Sequence, residues 1–152
     1  MILAIISEKE ISKEISELLF TATKEKYVKY NFRDAKDATS DVLKNLRISS
    51  SSKYGPFKKI VSVIEKSEKI VLVNDCNSDD KARVLRDMNA KFVHINCFNL
   101  FSEGDLYIEK KPKSIKDITD FISAVDMFIK MPVRDIASKE KMLDTHYMYV
   151  AE

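Results

Sequence analysis

Two patterns of apolar and polar positions alternate along this chain, and together they predict an α/β fold. Short, nearly unbroken apolar runs occur at Ile2–Ile6, Ile70–Val73 and Phe92–Ile95. Runs of β-formers this short and continuous mark strands buried on both faces. Tyr27–Phe32 (YVKYNF) alternates and reads as a further strand, and Asp105–Glu109 as a short one. Between them apolar residues recur at helical spacing: Ile11, Ile15, Leu18 and Leu19; Ala35, Ala38, Val42 and Leu46; Phe57, Ile60, Val61 and Ile64. Ala82, Leu85 and Met88 repeat the pattern, as do Ile115, Ile118, Phe121, Ile122 and Val125.

The helix boundaries carry their own signals. Ser7 and Glu10 have capping-box spacing for a helix running to about Thr21, and a second helix is expected over Asp34–Leu46. Pro56 sits where a first-turn proline belongs. Ser78 or Asn77 can cap a helix that carries Asp79 and Asp80 in its first turn and stops at Asn89. Ser114 caps the last helix and Pro132 ends it. Lys69–Asn96 is therefore a strand–helix–strand unit, which implies a parallel sheet with a right-handed crossover. We expect a three-layer α/β domain over residues 1–131, with a five-stranded, mostly parallel sheet, and a C-terminal appendix over 132–152. Ligands of open α/β sheets bind beyond the carboxyl ends of the strands, so Asn74–Ser78 is the first place to look for function.

Composition narrows the function classes. With 152 residues, 45% of them apolar, the chain can bury one substantial core. Its formal charge of +2 comes from 26 basic and 24 acidic residues mixed along the chain, so no nucleic-acid footprint is expected. Cys76 and Cys97 have no metal-ligand spacing and read as free thiols of a reducing compartment. Met1–Ile6 is too short for a signal or membrane segment, so a cytoplasmic protein without a membrane partner is expected. His94 and His146 lack ligand-spaced neighbours, and no metal is expected; Lys110, Lys111 and Lys113 read as a solvated loop. Gly55 and Gly104 are the only glycines. Phosphate-cradling loops need glycine for close approach of backbone amides.

The order of elements, with a first strand leading straight into a helix, is a P-loop-kinase layout. Three segments resemble the deoxynucleoside monophosphate kinases of large tailed phages. Tyr27–Leu43 resembles that family's second strand and following helix. Val71–Asn96 resembles its strand with a terminal Asp, the next helix and the next strand, and Gly104–Ala124 is similar to its closing strand and helix. The resemblance implies a phage-encoded, host-cytoplasmic protein of nucleotide metabolism, with Lys13, Asp75 and Asn77 as remnants of a nucleotide site.

The departures matter more. Where the family carries G-x-x-x-x-G-K-[DST]-T, this chain has Ser7-Glu8-Lys9-Glu10-Ile11-Ser12-Lys13-Glu14-Ile15, and only Lys13 keeps its type. Glu8, Glu10 and Glu14 put like charge where a triphosphate would sit, at about 1–4 kcal/mol per contact. Lys13 is more simply a solvated helix lysine. Asn77 replaces the arginine that would reach the transferring phosphoryl group, and Asp75 is as well suited to a loop or cap as to a metal. Leu46–Lys69 is too short for the family's monophosphate-binding insert.

We therefore expect a catalytically inactive kinase-like protein, without cofactor, that acts by binding a host or phage protein or a second copy of itself. Met142, Tyr147, Met148 and Tyr149 of the appendix are the expected anchors, since Tyr and Met are typical of interfaces. A non-catalytic nucleotide sensor or sponge, or kinase activity completed by a partner, are the alternatives. The purified protein should neither hydrolyse ATP nor phosphorylate deoxynucleoside monophosphates, and calorimetry should find no nucleotide affinity tighter than roughly millimolar. Turnover that disappears in Lys13→Ala would overturn this.

Overall fold

The computed structural model describes residues 1–36, 53–131 and 148–150. Five parallel strands, β1 (Ile2–Ile6), β2 (Tyr27–Lys29), β3 (Ile70–Val73), β4 (Lys91–Ile95) and β5 (Leu106–Ile108), form a sheet in the order β2-β3-β1-β4-β5. A sixth, β6 (Met148–Val150), adds antiparallel to β5, with Tyr149 opposite Tyr107. The expected three-layer, mostly parallel architecture is present, and its order of parallel strands is consistent with a minimal P-loop-kinase-like fold.

Strand side chains point alternately to the two faces, and each face is covered by its own helices. Leu3 and Ile5 of β1 pack with Ile15 and Leu19 of α1 (Lys9–Ala22) and with Phe121, Val125 and Phe128 of α5 (Ile115–Lys130). Ile2, Ala4 and Ile6 face the other way. They meet Phe32 of α2 (Phe32–Lys36), Phe57 and Val61 of α3 (Gly55–Glu65), and Leu85 of α4 (Asp79–Asp87). This places the carboxyl ends of all five parallel strands on one edge, together with the N-termini of α1, α2, α4 and α5.

Local signals succeeded where capping is sequential. Ser78 accepts from the Lys81 N–H at 3.3 Å, and Asn89 terminates α4 in the left-handed region at φ 59°. Ser114 and Asp117 form a reciprocal capping box at the start of α5. The expected Ser7–Glu10 cap does not form. Ser7 instead donates to the carbonyl of Glu8 and shares a short hydrogen bond with Ser12, leaving Glu8 as an N-cap without a side-chain bond. β2 is shorter than expected and α2 begins earlier, at Phe32 rather than Asp34, because Asp75, just beyond β3, accepts from the Phe32 and Arg33 amides and Asp34 accepts from the Asn31 N–H. Ala38, Val42, Leu46 and the Ser49–Ser52 run lie outside the described residues. Of the appendix, Met148–Val150 extend the host sheet through their backbones, while Met142 and Tyr147 lie outside the described residues.

One buried charge was not anticipated. Lys91, at the start of β4, is only 5% exposed. Its ammonium donates to the carbonyls of Phe128 (2.6 Å), Ile129 (2.9 Å) and Met131, the last turn and end of α5. A cation there satisfies carbonyls that the helix cannot pair and complements the negative end of its dipole. Lys91→Met keeps the stem but leaves those carbonyls without that donor. It should lower stability by about 2–4 kcal/mol in urea unfolding while the circular dichroism of the folded state stays the same.

Candidate functional site

The carboxyl edge of the sheet divides into three neighbourhoods. At the ends of β2 and β3, Asn31 and Asn74 exchange two hydrogen bonds: Asn31 Nδ2 donates to Asn74 Oδ1, and Asn74 N to Asn31 Oδ1, both at 2.8 Å. Asp75 turns its carboxylate onto the start of α2, accepting from the N–H groups of Phe32 (3.0 Å) and Arg33 (2.9 Å). These are orphan donors of a helix N-terminus, so a carboxylate is well placed there and both its oxygens are engaged. Asn77 is exposed and its Oδ1 accepts from Lys81 Nζ at 3.0 Å; the same ammonium lies 3.5 Å from the Asp75 carbonyl. The structure thus brings Asp75 and Asn77 together through Lys81. Lys13 stands apart, exposed on α1, with no hydrogen bond or ion pair among the described residues.

Cys76 lies between them but is buried. Burial, reinforced by the neighbouring Asp75 charge, pushes its thiol up to about 12, so it is held as a thiol and not a nucleophile. Among the described residues no group of three or more His, Cys, Asp or Glu side chains is arranged to hold a metal ion, and no helix is long and apolar enough to cross a membrane.

The second neighbourhood is an open cavity of about 430 Å³ beyond β4 and β5. Ile11 of α1, Asn96 after β4, and Glu109, Lys110, Lys111, Lys113 and Asp117 leading into α5 line it. Three lysines would suit an anion, but two carboxylates stand among them, Lys111 is ion-paired with Glu14 of α1, and Asp117 serves the α5 cap. The backbone beneath offers no phosphate loop. The Ser12 N–H is already bonded to the Glu8 carbonyl at 3.0 Å in a first helical turn, and the Ser12 side chain is buried.

Sequence reasoning missed the third neighbourhood. Asp105, 3% exposed in front of β5, takes a bidentate pair of bonds from Arg86 of α4, Nη1 to Oδ1 and Nη2 to Oδ2, both 2.6 Å. His94 Nε2 lies 2.9 Å from the same Oδ2, and the Ser102 N–H donates to it at 3.0 Å. Arg86 also reaches the Leu100 carbonyl at 3.1 Å and covers the ring of Phe92 at 3.8 Å. Burial alone would push the Asp105 carboxyl up, but the hydrogen bonds and charges of Arg86 and His94 outweigh it and hold it below the usual range. A His–Asp pair resembles catalytic machinery, yet His94 has no exposed surface with which to meet a substrate. Its work is structural: it fixes the loop over residues 96–105. That loop takes the place of a helix over β5, laying Phe98 flat on Tyr107 with ring centroids 4.2 Å apart and Phe101 edge-on to both. The only sequence signal was an Asp before a short strand and an Arg on the inner side of α4.

Comparison with known protein families, with curated proteins and with solved structures gave no match.

Because the folded-state carboxyl of Asp105 is depressed, its stabilisation is present above the ordinary carboxylate range and lost as pH falls through the folded value. Asp105→Asn should cost about 3–5 kcal/mol at neutral pH, as expected for breaking a buried pair, and should flatten the acid limb of the stability profile below about pH 4. Urea titrations of both proteins across the acid range measure it; parallel limbs would remove Asp105 as the group responsible.

Proposed function

We propose that this chain is a catalytically inactive, kinase-like scaffold that acts by binding a protein of the host or phage. The observation that carries this is the engagement of Asp75. A strand-end carboxylate that is to hold a metal or a phosphate-linked water must be free to turn towards it, and here each oxygen already accepts an amide of α2, which fixes the group on that helix. Asn77 supplies no positive charge for phosphoryl transfer, and its amide oxygen is taken by Lys81. The helical first turn after β1 offers no open ring of amides.

A binding role is supported by what the same edge exposes. Phe98 is 64% exposed although it is backed by Tyr107 and Phe101, and Ile115, at the first position of α5, is 86% exposed. Large apolar side chains at a surface suit the centre of an interface, where a few anchors carry most of the affinity. The appendix candidates join this surface only in part: β6 uses the backbones of Met148 and Tyr149 to pair with β5. The cavity beside α5 favours a second reading, a nucleotide or other anion sensed without turnover. Lys110 and Lys113 are its basic side chains outside the Lys111–Glu14 pair.

Phe98→Ser combined with Ile115→Ser should leave the melting temperature within a few degrees of the parent, because both side chains are mainly exposed. The same variant should fail to retain a partner that the parent enriches from infected or host cells. Undiminished capture would move the interface elsewhere; micromolar nucleotide affinity abolished by Lys110→Ala with Lys113→Ala would favour the sensor.

A further inference from the structure

We propose that the outer surface of α3 and α4 joins this chain to a second copy of itself, the basic face of α3 in each copy lying on the acidic face of α4 in the other. Both helices cover the same side of the sheet, through Phe57 and Val61 of α3 and Leu85 of α4. Their opposite sides meet solvent and carry opposite signs. α3 exposes Lys58, Lys59 and its capping residue Lys66. Its one carboxylate, Glu65, is half-buried and turned to the Met1 amine at 2.6 Å, and Glu68 is exposed only in the turn that follows. α4 exposes Asp79, Asp80 and Asp87 against one exposed cation, Arg83. Its other cations are occupied, Lys81 by Asn77 and Arg86 by Asp105.

These exposed charges are unmatched within the chain. Among the described residues none of their side chains has a hydrogen bond or an ion pair. The other side of the sheet is different. There Glu14 and Glu17 of α1 and Asp126 of α5 are each ion-paired, with Lys111, Lys29 and Lys26. Sorted by sign onto neighbouring helices, the charges of α3 and α4 find their complement in the same surface turned over.

The topology allows that arrangement. α3 and α4 each lead back from the carboxyl edge to the start of the next parallel strand, so they run in the same direction. A two-fold axis lying between and along them sets α3 of one copy on α4 of the other and repeats the contact on its far side. Such an interface is isologous, so every contact between a cation and a carboxylate is made twice. Setting α3 on α3 would instead oppose lysine to lysine. Val63, 44% exposed, lies on the α3 stripe between Lys59 and Lys66 and supplies an apolar centre. Exposed ion pairs are individually weak and screened by salt, so the association is of micromolar strength and salt-sensitive. It does not depend on the Phe98 and Ile115 surface, which lies at the carboxyl edge.

Sedimentation velocity of the full chain tests this. At about 50 mM salt the parent should form a dimer, and raising the salt to about 500 mM should weaken it roughly tenfold or more. Lys59→Glu with Lys66→Glu makes both helices acidic, and Asp80→Lys with Asp87→Lys makes both basic. Each variant alone should be monomeric where the parent is dimeric, with unchanged circular dichroism. Mixed in equal amounts the two should dimerise again, because each α3 then meets an α4 of opposite sign. Phe98→Ser with Ile115→Ser should dimerise as the parent does, which separates this surface from the other. The salt series needs no substitution and decides the matter even if a variant fails to fold. A parent that stays monomeric up to roughly millimolar concentration would overturn the proposal. So would a dimer indifferent to salt and charge reversal, or a mixture no more associated than its components.

Discussion

Asp105 is a carboxylate enclosed by protein, and a charge in that position must be met from several directions at once. Arg86 comes from α4, His94 from β4 and the Ser102 amide from the loop between β4 and β5. The three donors tie a helix on one face of the sheet to two adjacent strands and to the chain that joins them. Without that knot, β5 would be covered on this face by no helix, and Tyr107 would be open to water. With it, a ten-residue loop rich in aromatic residues does a helix's work. Lys91 plays the reciprocal part on the opposite face, where an ammonium closes the end of α5. Both charges bridge elements that hydrophobic contact alone would position less narrowly.

The fold was legible because its signals are local. Continuous apolar runs at Ile2–Ile6 and Ile70–Val73 can only be strands buried on both faces, and Ser78, Asn89 and Ser114 mark helix ends through bonds to residues three or four positions away. The carboxyl edge was less legible because its bonds are not local. Asp75 reaches amides more than forty residues earlier in the chain, and no spacing rule connects an Asp at a strand end to the helix that opens the preceding crossover. Lys91 looked like the polar flank of an apolar run. Its burial depends on where α5 ends, which only packing decides. Ser7 misled for the opposite reason: the sequence offered a sound local cap, but Ser12 competed for the same hydroxyl.

The carboxyl edge of the sheet is closed by bonds among its own polar groups. In a working phosphoryl-transfer site polar groups are kept partly unsatisfied until the substrate arrives, which costs stability. Here the polar groups at the strand ends are already paired. Asn31 and Asn74 satisfy one another, Asp75 caps α2, Asn77 holds Lys81, and the first amides after β1 have entered a helix. Each closure replaces a demand for ligand with an internal bond, and each would stabilise the domain whether or not it bound anything.

The same pairing sets how hard a phosphate site would be to build at this edge. Glycine at positions 7 and 12 would remove the Ser7–Ser12 bond and loosen the turn, yet it would leave Asp75 bound to the Phe32 and Arg33 amides. Releasing Asp75 would in turn expose the N-terminus of α2, where Phe32 stacks on Phe57 at 4.0 Å within the core of that face. A phosphate site could therefore not be built here one residue at a time, because the polar groups at the strand ends are part of the packing of other elements. The exposed side chains Phe98 and Ile115 are under no such constraint. Change at the carboxyl edge is least costly where the edge meets solvent.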